Sequence, residues 1–419
     1  MNAPHPALRL SGRIAELLTD PAAAPAAWSS RPQWRQSLAH GAPGIALLHI
    51  ERAATGLGPW EPVRAWLSIA ASTAVTSGTD SYLYYGAPAL AHALTCAAQA
   101  RPGTYQRALD HLDQVVAADA GRRCEEAEAR TERGDLPTLA EFDTIRGLTG
   151  IGSVLLRRAA GGEAIRRILT CLVRLTEDVK HDGKVLPGWW TLAGPSGERD
   201  ERFPGGHANN GLAHGIAGPL ALLALALRRG VEVDGQREAL RTVLAWLERW
   251  RDGHAWPYWI TPAHLTGPDR RPLAPQRPSW CYGTAGIARA QQLAAAALAD
   301  PHLRNDAESA LATALVDPKA LATTTDLSAC HGYAGLAHIA HRAAADASPR
   351  NASRLRSVAA LLLDATHPPH ADPDEQAHRL LATAGPAFLE GAAGTALALL
   401  APATGSTPAT RWDACLLTS

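Results

Sequence analysis

The sequence predicts an all-α protein, a closed α/α toroid of seven helical hairpins with seven inner and seven outer helices. Three observations carry that expectation. A motif of Gly-x-x-Gly, or Gly-x-x-Ala in one copy, followed by small apolar residues recurs seven times along the 419 residues. The stretches between copies place apolar residues at helical spacing. No segment reads as a run of alternating strands. The copies begin about 58 residues apart on average, enough for two helices each, so a repeat architecture can absorb the whole length. A single domain over 1–419 follows.

The copies read HGAPGIALL from His40, YYGAPALAHAL from Tyr84, IRGLTGIGSVLL from Ile145 and AHGIAGPLALLAL from Ala213. They continue as CYGTAGIARA from Cys281, CHGYAGLAHI from Cys330 and LEGAAGTALALL from Leu389. The lead glycines are Gly41, Gly86, Gly147, Gly215, Gly283, Gly332 and Gly391. Only the second copy lacks the second glycine, with Ala89 in its place. After each motif comes a run of Ala and Leu, such as 216–228 or 286–299. A helix apolar nearly all round is a buried one, and these are the inner helices. The outer helices are amphipathic. Ile165, Ile168, Leu169 and Leu172 fall at i, i+3, i+4 and i+7, as do Leu240, Val243, Leu244 and Leu247. Similar patterns lie near 8–19, 61–74, 105–119, 302–316 and 352–365. The charged run 121–135 reads as a solvated helix face or a mobile loop.

Composition bounds the function. Forty Lys+Arg balance forty Asp+Glu. That balance argues against general nucleic-acid binding and against a polybasic membrane surface. The longest apolar run, 216–227, is shorter than the roughly 20 residues a membrane span needs. No targeting segment is visible, and six cysteines in so long a chain do not make a disulfide scaffold. A cytoplasmic setting fits. No phosphate-binding or dinucleotide fingerprint appears.

The glycines let helix ends approach closely. If all inner helices start at one end, the residue before each lead glycine faces a common mouth. Those residues are His40, Tyr85, Arg146, His214, Tyr282, His331 and Glu390, every one polar or ionisable. One position earlier, consecutive copies carry Cys281 and Cys330. Two thiolates with His331 describe an open zinc site, which keeps a coordination position for water or substrate. The alternative is that these are small buried residues in a tight barrel.

With these residues in hand the chain resembles the LanC-like family, the lanthionine-forming cyclases. The resemblance rests on NGLAHGIAG from Asn210, SWCYGTAG from Ser279, CHGYAG at 330–335, FLEGAAG at 388–394 and the closing RWDACLLTS. It covers the chain from the first glycine motif onward, and it implies a toroid around a zinc ion. By the resemblance, Cys281, Cys330 and His331 are the zinc ligands, and His214 is the catalytic histidine. Tyr282, Arg277 and Asp143 match further active-site positions. The reaction implied adds cysteine thiols of a dehydrated lanthipeptide precursor, leader plus core, to dehydroalanine or dehydrobutyrine, giving thioether rings. The chain begins almost at the first outer helix, so a separate dehydratase is the expected partner.

Competing readings attach to the same residues. Asp143 precedes a helix start, where a carboxylate also serves as a cap. Arg277 lies in a proline-rich loop with Pro272, Pro275 and Pro278, where a solvated arginine is ordinary. Trp189, Trp190, Trp256 and Trp259 line either a peptide groove or the core. Cys96, Cys124, Cys171 and Cys415 read as structural thiols. The same zinc could serve addition of glutathione or another thiol to a dehydrated protein. A metal-free barrel would act on glycans through Asp143 and Glu390, and a non-catalytic scaffold would only bind peptides.

Overall fold

The computed structural model describes every residue except 1–4, 25, 32, 160, 195, 196, 200, 268–273, 275, 369 and 370. Pro272 and Pro275 therefore lie outside the described residues, and the side chains of 26 and 27 are likewise left aside. The chain packs as two compact units, Met1–Val115 with Thr324–Cys415, and Val116–Thr323 with Leu416–Ser419.

All seven inner helices form, each starting inside its glycine motif, one residue after the lead glycine except in the fourth copy, where it is two. They are Ala42–Ala54, Ala87–Ala100, Leu148–Arg158, Ala217–Arg228, Thr284–Ala297, Tyr333–Asp346 and Ala392–Thr404. Their Ala- and Leu-rich faces are buried almost throughout, as the lack of any polar face requires. The outer helices also stand close to the expected places, at Pro6–Leu17, Glu61–Ala70, Glu163–Arg174, Gln236–Trp250, Pro301–Ala314 and Pro349–Thr366. The outer helix of the second hairpin departs most. It runs from Gln106 to Arg133 and takes up most of the charged run after 120. Ion pairs hold that extension: Arg167 bridges Glu125 and Glu128, and Arg130 meets Glu141.

Two features depart from the sequence expectation. One is an extra helix, Pro373–Ala384, capped by the Asp372 carboxylate on the Asp374 N–H. The other is β structure between the third and fifth motifs. Val179–His181 pairs with Lys184–Leu186, and Trp190–Thr191, His207–Asn209 and Trp259–Ile260 form a three-stranded antiparallel sheet. Strands of two or three residues are too short for alternation to show.

The glycine motif works by close approach. A Cβ on Gly283 would lie 2.2 Å from both the Arg277 carbonyl oxygen and the Ser279 nitrogen. On Gly44, the second glycine of the first copy, it would lie 2.1 Å from the Leu38 carbonyl oxygen. Copy two, the one with Ala89, is also the one whose lead glycine turns differently. Gly86 has φ +74°, whereas the helix-capping glycines of the other copies are extended.

Neighbouring motifs within a unit are stitched together by backbone hydrogen bonds. In one unit Thr144 N donates to Ala213 O and Ala213 N to Cys281 O, both at 3.0 Å. In the other, Cys330 N donates to Leu389 O, Leu389 N to Ala39 O and Leu38 N to Tyr84 O. Residues two before the lead glycines thus share one level in each unit. Cys281 stands at that level in its own unit, and Cys330 in the other.

Candidate functional site

The residues just before the lead glycines lie off the buried core. None of the seven is buried, while of those one position earlier only Ile145 is not. A further device, absent from the sequence reading, sets these turns. Four residues before the lead glycine stand Ser37, Asp143, Ser279 and Ser328. Each side-chain oxygen accepts from the backbone of its turn. Ser37 Oγ takes the His40 N–H at 3.0 Å and Ser328 Oγ the His331 N–H at 3.1 Å. Ser279 Oγ takes the N–H groups of Tyr282 and Gly283 at 3.3 and 3.1 Å. Asp143 Oδ1 takes those of Arg146 and Gly147 at 2.6 and 2.9 Å. The signal was present in the sequence as a hydroxyl or carboxylate at a fixed offset.

Asp143 differs from the serines in having a second oxygen. Its Oδ2 lies 2.6 Å from His214 Nδ1, with the carboxylate side chain 1% exposed. Capping and orientation are therefore not rivals, since each uses one oxygen. Opposite an ionised carboxylate, Nδ1 carries the proton. Nε2 of the neutral ring is then the basic nitrogen. The loop that carries His214 is held on both sides. Asn210 donates from its side chain to Pro257 O at 2.8 Å and accepts from Trp246 Nε1 at 2.9 Å. Asn209 Oδ1 accepts from Gly211 N.

Tyr282 stacks beside His214, with ring centres 6.0 Å apart. It also meets Tyr258 at 5.7 Å and Trp259 at 5.6 Å. Burial, then the neighbouring Cys281, pushes the Tyr258 phenol above its usual range. That hydroxyl donates to Arg277 O at 3.1 Å, which ties down the half-buried residue four before Cys281. Trp189, Trp190 and Trp256 are buried core residues; only Trp259 of the four tryptophans joins this cluster. The four other cysteines are buried, and none is in a disulfide among the described residues. Glu390 and His40 are exposed.

Cys281, Cys330 and His331 together supply two sulfurs and an imidazole nitrogen, a donor set that could bind a metal ion. Both thiols are buried, at 8% and 7% exposure. Cys281 Sγ lies 3.4 Å from Ser279 Oγ. His331 Nε2 lies 3.2 Å from Asp326 Oδ2. Burial works to raise the Asp326 carboxyl, but its bonds from His331 and Ser328 outweigh it and hold the group well below its ordinary value.

A family model described as lanthionine synthetase C-like protein matches residues 32–417. The chain belongs to the lanthionine synthetase C-like family. A curated relative, the nisin biosynthesis protein NisC of Lactococcus lactis subsp. lactis, is 26% identical over 214 residues. That match takes in 48% of this chain and 49% of the relative, so it spans about half the length of that protein. The solved structure of a nisin cyclase superposes with a TM-score of 0.77, at 21% identity, over 97% of this chain and 96% of that one. The likeness shows the fold, and the fold class read from the seven motif copies, an all-α toroid, is that of this structure. Among the described residues no helix is long and apolar enough to cross a membrane.

Proposed function

We propose that this LanC-like chain is a zinc-dependent cyclase of lanthipeptide biosynthesis. It joins cysteine thiols of a dehydrated precursor peptide to dehydroalanine or dehydrobutyrine, giving lanthionine or methyllanthionine rings. The supporting observation is the donor set of Cys281, Cys330 and His331, at matching places in two motif copies of a chain that belongs to this family. Two thiolates and an imidazole suit zinc by ligand softness, and three protein ligands are what an open catalytic site uses. A zinc ion held there would bind the incoming peptide thiol as its thiolate and so supply a nucleophile at neutral pH.

The chain's own residues would do the rest. Ser279 Oγ already accepts two backbone N–H groups, so its own proton is the one aimed at Cys281 once that thiol ionises. The sulfur of the peptide forms a bond to the β-carbon of the dehydro residue. The π electrons move toward the neighbouring carbonyl, and a proton must then reach the α-carbon. His214 is the candidate for that delivery, since an imidazole exchanges protons near neutral pH. The Asp143 carboxylate on Nδ1 would hold the ring in orientation, leaving Nε2–H to give the proton. Tyr282 and Arg277 are the candidates to steady the enolate oxygen. Asp143 has both oxygens engaged, by His214 and by backbone N–H groups, which disfavours the glycan-cleaving alternative. A dehydratase acting first on the peptide is the expected partner.

The test is to incubate zinc-loaded protein with dehydrated precursor peptide and follow thiol alkylation by mass. Cyclisation leaves the mass unchanged and removes the alkylatable thiols. Persistent free thiols with zinc bound would overturn ring formation. Under the same conditions, a mass gain from added glutathione would favour intermolecular thiol addition.

A further inference from the structure

The carboxylate behind His331 has no counterpart among the roles assigned above. Its geometry is set within one turn. Asp326 Oδ1 accepts the Ser328 N–H at 2.8 Å, while Oδ2 faces His331 Nε2 at 3.2 Å. Ser328 Oγ in turn accepts the His331 N–H at 3.1 Å. Gly332 closes the arrangement, since a Cβ there would lie 2.4 Å from Asp326 Oδ1. The carboxylate is thus locked at both oxygens, with one of them on the imidazole.

We infer that Asp326 is a positioning residue for the metal centre: it holds the proton on His331 Nε2, so that Nδ1 is the nitrogen that binds zinc. A neutral imidazole that coordinates through one nitrogen carries its proton on the other, and an acceptor there fixes the tautomer and raises the ligand's basicity. Asp326 supplies that acceptor from the residue's own turn. The inference rests on the proposed zinc ligation and adds to it a named tautomer and its cause.

The test measures zinc affinity by competition with a chromophoric chelator at fixed pH, for wild type, Asp326→Ala and Asp326→Asn. Thermal unfolding of the metal-free proteins runs alongside. Asp326→Asn is the decisive variant because it preserves shape. With its oxygen kept on the Ser328 N–H, its amide nitrogen faces Nε2, and a donor there favours the tautomer with the proton on Nδ1. That tautomer cannot coordinate through Nδ1. Asp326→Asn should therefore lose affinity at least as severely as Asp326→Ala, by about 10- to 100-fold, with metal-free unfolding unchanged. If Asp326 only shaped the turn, the asparagine would restore affinity. Affinity of Asp326→Asn within about threefold of a wild type that binds one zinc would overturn the inference alone. A wild type that binds no zinc would instead overturn the functional reading beneath it.

Discussion

Replacing Asp143 by serine should separate two jobs that one side chain performs. At the equivalent place in three other motif copies a serine caps the turn. Asp143→Ser should therefore keep a cap for Arg146 and Gly147 while deleting the 2.6 Å bond to His214. That bond is charge-assisted and part-buried, a class worth about 1.5–3 kcal/mol. If it is fully felt when His214 carries the proton, turnover should fall by roughly 10- to 150-fold. Asp143→Ala loses the cap as well, which should cost about 1 kcal/mol of stability beyond the serine variant. The assay is single-turnover thiol loss on dehydrated peptide, with urea unfolding of both variants. Wild-type turnover in Asp143→Ser would refute the orienting role. Equal destabilisation of both variants would refute the shared capping role.

Four further outcomes follow from the geometry. Gly283→Ala should cost about 3 kcal/mol or more, or abolish soluble protein, because its Cβ meets backbone atoms at 2.2 Å. Gly121→Ala, inside the Gln106–Arg133 helix with open space around it, should raise stability by up to about 1 kcal/mol; unfolding midpoints check both. Burial holds His49 near a pKa of about 4, with its Nε2 on Leu18 O. The unfolded chain then takes up a proton that the folded chain refuses. Stability should fall as pH drops from about 6.5 to about 4, by about 3 kcal/mol in all for this group. His49→Gln should flatten that part of the urea-midpoint profile, and an unchanged slope would refute it. Tyr282→Phe keeps the ring contacts to His214 and Tyr258 and loses only the hydroxyl. It should fold as wild type and turn over about 100-fold more slowly if that hydroxyl steadies the enolate, measured by the same thiol assay.

The inner helices were legible because burial on all sides leaves a run of Ala and Leu, and because close approach demands glycine at a fixed phase. The outer helices were legible from their 3.6-residue pattern. The short sheet beside the fourth motif was not. Its strands are held by loop packing around Asn209, Asn210 and the tryptophans, and alternation over two or three residues carries no signal. The site divided along the same line. Cys281, Cys330 and His331, which could bind a metal ion, were picked out by their phase to the lead glycines, and His214 by the family resemblance. Asp143 was ambiguous because a single letter hides two oxygens with different partners. Asp326 and Tyr258 stand off the motif phase, and only the folded turns bring them to His331 and Tyr282.

The most direct test of the account is X-ray absorption at the zinc edge of zinc-loaded protein, before and after dehydrated precursor peptide is added. Two sulfurs at about 2.3 Å and a nitrogen near 2.0 Å are expected first, with a third sulfur appearing when peptide binds. Cys330→Ala should remove one of the first two. A zinc shell holding fewer than two sulfurs, or one that Cys330→Ala leaves unchanged, would contradict it.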